Sequence, residues 1–205
     1  MEQSKVILFG GTFDPIHLAH ATIASEAVKH LKADTLFFIP AKHSPLKSFF
    51  PIANDEDRLA MISLAIAGDK KFQVSDYELK KAEPSYTLNT VRYFKNFLGG
   101  QVELYWLIGA DSIDDLAGWY KITDLIDECN LSVMYRAGYK TPDFAKFEAV
   151  WGPQRVEKLQ KNIIKTSLID ISSTEIRKRL AADADVNDMV CKSAANYIKQ
   201  HGLYK

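Results

Sequence analysis

Apolar and polar positions alternate along this chain in two rhythms. Lys5-Val6-Ile7-Leu8-Phe9 is a short apolar run closed by Gly10-Gly11, which predicts a strand buried on both faces that meets a tight turn. From Leu18 to Leu31 the apolar residues Ile23, Ala24, Ala27, Val28 and Leu31 recur at three- and four-residue steps, the repeat that lays one apolar stripe along a helix. Thr35 to Ile39 reads as a second buried strand stopped by Pro40, and a polar loop from Ala41 to Asn54 follows, carrying Lys42, His43 and Lys47. The spacing of Leu59, Ile62, Leu64 and Ile66 predicts a helix from Asp55 to Ala67, with acidic residues in the first turn and Gly68 at its end. Phe72 to Ser75 is a short strand, Thr87 to Leu98 a helix closed by Gly99-Gly100, and Val102 to Ile108 a strand entering Gly109. Further on, Leu131 to Tyr135 predicts a strand, Phe144 to Asn162 is weakly helical, and Ile163 to Ile171 holds the last strand candidate before Ser172-Ser173-Thr174-Glu175 opens a helix.

Strands alternating with helices predict an α/β chain: a single-domain, Rossmann-like open parallel sheet over residues 1–205, with helices on both faces and a small C-terminal helical region. In such sheets ligands sit at the carboxyl ends of the strands, where strand order reverses, and the turn at Gly10-Gly11 is such a place. The composition fits one core: 205 residues, 47% of them hydrophobic. Lys plus Arg and Asp plus Glu are balanced at 26 each, so no net basic field draws in nucleic acid or an acidic membrane, and any phosphate binding must be local. The first residues lack a signal-peptide pattern and no run approaches the ~18 apolar residues of a membrane span, so a cytoplasmic protein is expected. Cys129 and Cys191 have neither CxxC nor metal-ligand spacing and carry no functional weight.

Two stretches carry chemistry. The first is GGTFDPIHLAH, residues 10–20. Gly10 and Gly11 leave room for a phosphate or sugar to approach backbone N–H groups, and the helix beginning near His17 presents its positive end there. His17 and His20 share a face of its first turn and can both donate to the same phosphates. Either histidine alone could be incidental at a helix start; the combined string is not. It is neither GxGxxG nor GxxxxGK[ST], which disfavours a dehydrogenase or a P-loop enzyme. The second stretch is Asp170 to Arg177. Ser172 with Glu175 fits a capping box, a purely structural role, yet the same geometry gathers N–H groups, serine hydroxyls and Arg177 at one helix end, which suits a polyphosphate tail.

These two stretches resemble the HxGH and ISSTxIR signatures of the nucleotidyltransferase superfamily, specifically of the bacterial nicotinate mononucleotide adenylyltransferases. Pro84-Ser85-Tyr86-Thr87 resembles that family's PSYT segment, and Ile108-Gly109-Ala110-Asp111 followed by Trp119-Tyr120 resembles its GxD and WY segments. Tyr197-Ile198 and Gly202-Leu203-Tyr204 are similar in kind to its C-terminal residues. The resemblance implies that Gly10, Gly11, Thr12 and Phe13 line the ATP and acceptor site, that His17 and His20 contact the ATP phosphates, with His20 closest to the reacting α-phosphate, and that Ser172, Ser173 and Arg177 hold the β,γ end. Gly109 and Asp111 would bind nucleotide, the aspartate through ribose hydroxyls. Trp119 would stack on the pyridine ring, with Tyr86, Thr87 and Tyr120 beside its carboxylate. On the residues alone, Asp111 also fits an N-cap and Trp119 an ordinary core aromatic.

The sequence departs from the family pattern twice. Ala19 stands where HxGH has glycine, a change that helix geometry tolerates. The usual PPHK or PPHR loop reads His43-Ser44-Pro45-Leu46-Lys47, which keeps the basic end as Lys47 and places Leu46 at the histidine position. The expected catalytic set is therefore His17, His20, Lys47 and Arg177, with Lys47 and Thr12 also on the mononucleotide. The implied partners are ATP and nicotinate mononucleotide, with Mg²⁺ held mainly by ATP phosphates and no protein metal site. Nicotinamide mononucleotide, or another phosphorylated acceptor such as phosphopantetheine, is the alternative substrate, and a nucleotide-binding sensor is the non-enzyme alternative. A homo-oligomer stays open.

Overall fold

A computed structural model describes residues 3–43, 50–81, 84–99, 101–136, 141–167 and 169–205. Six strands form one all-parallel sheet: β1 (Ser4–Gly11), β2 (Thr35–Pro40), β3 (Phe72–Val74), β4 (Val102–Gly109), β5 (Asn130–Arg136) and β6 (Ile163–Thr166), in the order β3-β2-β1-β4-β5-β6. The chain lays down one wing, β1 to β3, returns to the other edge of β1, and lays down the second wing. The switch falls between β1 and β4, so Gly10-Gly11 ends the central strand as the sequence predicts.

The helices are α1 (Leu18–Leu31), α2 (Asp55–Ile66), α3 (Thr87–Phe97), α4 (Ile122–Glu128), α5 (Glu148–Trp151), α6 (Pro153–Lys161), α7 (Ser173–Ala181) and α8 (Lys192–Gln200). Strand side chains point alternately to opposite faces, and both faces are buried. Ile7, Phe9, Leu36 and Phe38 pack with Ala24 and Val28 of α1, Met61 and Ile62 of α2, Ile176 of α7 and Ile198 of α8. Val6, Leu8, Phe37 and Ile39 pack on the other side with Leu88 and Phe94 of α3, Leu125 of α4 and Leu159 of α6. This two-sided burial is why the strands read as unbroken apolar runs. Helix ends follow local chemistry: Asn54 Oδ1 accepts the Asp57 N–H at 2.8 Å, and Asp55, Glu56 and Asp57 complement the positive end of α2.

Three predicted elements are revised. Phe144 to Asn162 is not one helix, because Gly152 at φ 80° breaks it and Pro153 starts α6 afresh. The last strand ends at Thr166, well short of Ile171; beyond it the Ser167 N–H and hydroxyl turn to the Glu26 carboxylate on α1, which draws the chain off the sheet. Helix α4 has no counterpart in the periodicity, its seven residues being too few to show one.

Candidate active site

The turn after β1 is held from behind by buried charge. Asp14 is almost fully buried; its carboxylate accepts the N–H groups of Ile52 at 2.8 Å and Ala53 at 3.1 Å and the Tyr204 hydroxyl at 2.7 Å. Arg58 of α2 is fully buried, and its guanidinium donates to the carbonyls of Thr12 at 2.8 Å and Ala41 at 2.9 Å and to Asp55 Oδ1 at 2.6 Å. Asp55 also pairs with Lys42. Phe13 adopts left-handed backbone geometry, φ 47°, which for a residue with a side chain costs roughly 1–2 kcal/mol and needs such support. The resemblance suggests that Phe13 lines the site. Its ring is instead 1% exposed, packed on Phe9 and Phe38 and edge-on to His20 at 5.0 Å. Phe13 backs the histidine instead of meeting ligand.

His17 caps α1, and its ring stacks on that of His20 with centroids 3.6 Å apart and planes 23° apart. The His17 N–H donates to His20 Nδ1 at 3.3 Å, which leaves Nε2 of a neutral His20 as its N–H donor. Burial pushes the His17 pKa down to about 4, so its imidazole is neutral near pH 7. The end of α1 is less open than the sequence suggests: the Leu18 N–H is taken by the Met189 carbonyl at 2.9 Å. Phosphate recognition here therefore depends more on side chains than on the helix end.

Helix α7 docks onto the same turn. Ser172 Oγ caps it by accepting the Glu175 N–H at 3.2 Å, while the Glu175 carboxylate accepts from Arg179 Nε at 3.2 Å. The Ser173 hydroxyl donates to the Pro15 carbonyl at 3.0 Å, and Arg177 Nη1 donates to the Asp14 carbonyl at 2.6 Å. His17, His20, Ser173 and Arg177 thus gather around residues 14–20, as the two motifs imply.

On the other side of Gly10, Gly11 and Thr12 lies a cavity of about 590 Å³. Tyr86, Thr87, Gly109, Asp111, Trp119 and Tyr120 line it, together with those three residues. Asp111 and Gly109 therefore lie with the proposed pyridine-binding residues, and His17, His20, Ser172, Ser173 and Arg177 form a separate group joined to them through the turn. Tyr86 and Tyr120 rings approach to 4.6 Å, and Trp119 Nε1 is buried with no hydrogen-bond partner among the described residues. The glycines have a further reason to be glycine. An alanine Cβ at Gly10 would meet the Trp106 ring at 2.3 Å, one at Gly11 the Phe13 ring at 2.9 Å, and one at Gly109 the Asp111 carboxylate at 2.2 Å. Protein groups occupy the space that the sequence assigns to ligand alone. Lys47 and Leu46 fall outside the described residues.

Several site residues escape the motif reading. Glu78, Ser85, Phe9 and Trp106 also line the cavity. Burial raises the Glu78 pKa above the ordinary glutamate value, against the hydroxyl donation of Thr90 and Ser85. Asp14 is inside the first motif and Tyr204 inside the C-terminal one, but neither shows its partner in sequence. Arg58 does leave a signal: it occupies the apolar face of α2 with Met61 and Ile62, where a charge needs a reason. Among the described residues no three His, Cys, Asp or Glu side chains gather to hold a metal, and no helix is long and apolar enough to cross a membrane.

A parallel sheet with a histidine-bearing turn at its switch point defines a nucleotide-handling α/β protein, and residues 8–179 match the family described as cytidylyltransferase-like. Relatives align along the whole chain. The protein named probable nicotinate-nucleotide adenylyltransferase in Clostridium tetani is 37% identical, over 98% of this chain and 99% of its own. Its namesake in Neisseria meningitidis is 36% identical over 98% of each. The chain belongs to the nicotinate-nucleotide adenylyltransferases of the cytidylyltransferase-like family. The nicotinic acid mononucleotide adenylyltransferase of Plasmodium falciparum, solved in complex with NaAD, shares the fold at a TM-score of 0.74 and 21% identity, over 98% of this chain and 97% of that one.

Proposed function

We propose that the chain transfers the adenylyl group of ATP to nicotinate mononucleotide, giving nicotinate adenine dinucleotide and pyrophosphate, a step of NAD biosynthesis. One observation carries this: a single rigid turn, residues 10–20, contributes Gly10, Gly11 and Thr12 to the aromatic-walled cavity and His17 and His20 to a cluster with Ser173 and Arg177. An acceptor in the cavity and a triphosphate on the cluster meet across that turn.

The acceptor's phosphate oxygen is already anionic, so no side chain need act as nucleophile. It attacks the α-phosphorus in line; that P–O bond forms as the bond to the bridging oxygen of the β-phosphate breaks, and pyrophosphate carries away the electron pair. Catalysis is positioning and charge stabilisation. His20 donates from Nε2 to the α-phosphate, held by the His17 N–H and the Phe13 ring. Ser172, Ser173 and the N–H groups that Arg177 has to spare hold the β,γ end, and Lys47 serves the acceptor phosphate. Thr87 and Tyr120 meet the pyridine carboxylate, Trp119 the ring, and Asp111 the ribose. The cluster offers N–H and O–H donors and no nest of carboxylates, so Mg²⁺ fits as a companion of ATP, bound by phosphate oxygens and water. In that form it supplies charge neutralisation to the polyphosphate. The ATP-dependent reaction places the protein in the cytoplasm.

Purified protein supplied with ATP, Mg²⁺ and, in turn, nicotinate mononucleotide, nicotinamide mononucleotide and phosphopantetheine tests this by pyrophosphate release. The acid mononucleotide should give the highest kcat/KM. A higher value for another acceptor, or none for any, would overturn the assignment.

A further inference from the structure

Glu78 has no role in the reaction just described, yet its carboxyl lies in the cavity wall between elements that shape the acceptor end. It is 3% exposed. Its Oε1 accepts the Thr90 hydroxyl at 2.6 Å, from within the first turn of α3, and the Ser85 hydroxyl is its second donor. Ser85 extends the connection, accepting the Lys42 N–H at 3.1 Å on Oγ and donating its own N–H to the His43 carbonyl at 3.0 Å. One buried carboxyl therefore joins α3, the Ser85-Tyr86 approach to it, and the first residues after β2.

Helix α3 needs such a brace. Its N-cap, Tyr86, makes no side-chain cap bond, and the N–H groups of Asn89 and Thr90 are satisfied only by the Tyr86 carbonyl, at 3.0 and 3.3 Å. Nothing in the cap itself fixes where Thr87, the first helical residue, sits relative to Trp119 and Tyr120 across the cavity. A carboxyl oxygen pair can accept both hydroxyls at once, which a shorter side chain at this position cannot.

We propose that Glu78 is a positioning residue for the acceptor: by tying Thr90 to Ser85 it sets the placement of Tyr86 and Thr87, and with it the affinity for the mononucleotide, without acting on ATP. This rests on the cavity being the acceptor site, as argued above.

The test compares wild type with Glu78→Ala, Glu78→Gln and Thr90→Val. It measures KM for nicotinate mononucleotide and for ATP, kcat, the melting temperature, and mononucleotide binding to ATP-free protein by Trp fluorescence. Glu78→Ala should raise the acceptor KM and Kd by about tenfold or more, the scale on which a displaced binding group is felt, and leave the ATP KM within about twofold. Glu78→Gln, which keeps an oxygen acceptor, should recover most of the loss, and Thr90→Val should move in the same direction as Glu78→Ala. Unchanged acceptor constants, equal rises for both substrates, or a Gln variant as defective as Ala would overturn the role. If Glu78→Ala does not fold, Thr90→Val decides alone, an unchanged acceptor KM counting against the proposal. Turnover of nicotinate mononucleotide by wild type beside unaffected variants sinks only Glu78; a wild type that fails to turn it over removes both the role and the function on which it rests.

Discussion

The Tyr204 hydroxyl donates to Asp14 Oδ1 at 2.7 Å across 190 positions of sequence, and so ties the end of the chain to the catalytic turn. The bond is buried and its acceptor is charged in type, the class of hydrogen bond that contributes about 1.5–3 kcal/mol. Tyr204→Phe keeps the ring and removes only the donor. Its unfolding free energy in urea should fall by about that amount, with the m-value unchanged. Turnover should fall by a smaller factor, since Ile52 and Ala53 still hold Asp14.

Arg58 offers a harsher test. Replacing it with Met fills much of the volume but leaves the Thr12 and Ala41 carbonyls and the Asp55 carboxylate without their donor. Breaking a buried charge pair in this way costs about 3–5 kcal/mol. Lys has no fork with which to reach both carbonyls and the carboxylate, so Arg58→Lys should recover little. Denaturant midpoints of the two variants, read beside the wild type, check both statements.

If His20 stabilises charge at the α-phosphorus, His20→Ala should lower kcat by roughly 10²-fold or more while the protein keeps its melting temperature within a few degrees. Rates within a few-fold of wild type would remove His20 from the mechanism.

His17 makes stability depend on pH. Its folded pKa of about 4 lies below the ordinary histidine value of 6.5, so between them the unfolded chain binds the proton and the folded one does not. Its share of stability is therefore intact above 6.5 and is lost progressively as pH falls towards 4. By linkage the loss at pH 5 is about 2 kcal/mol. Urea unfolding of wild type and His17→Gln at pH 7.5 and 5 should show a smaller acid-side loss in the variant.

The fold was largely legible because five of its six strands are apolar runs and their helices carry a clear three-four repeat. What escaped was short or relational. Helix α4 is too brief to show a period, and the break at Gly152 depends on one backbone angle. In the site, residues in family-like strings were found. Arg58 and Glu78 were not, because a buried charge is defined by partners distant in sequence, and its own neighbours resemble any amphipathic or polar stretch. Gly10 and Gly11 were read correctly as glycines for the wrong whole reason: a tryptophan and a phenylalanine ring claim part of the space.

The strand order has a consequence for how substrate range can change. The aromatic and hydroxyl groups that enclose the acceptor end come from residues 78–120, around the start of α3 and the segment after β4, while the groups proposed to handle phosphate come from residues 17–20 and 172–177. Only Gly10, Gly11 and Thr12 stand between the two sets. Substitutions in the middle of the chain can therefore retune which molecule is adenylylated and leave the adenylylating apparatus, assembled from the two ends, as it is.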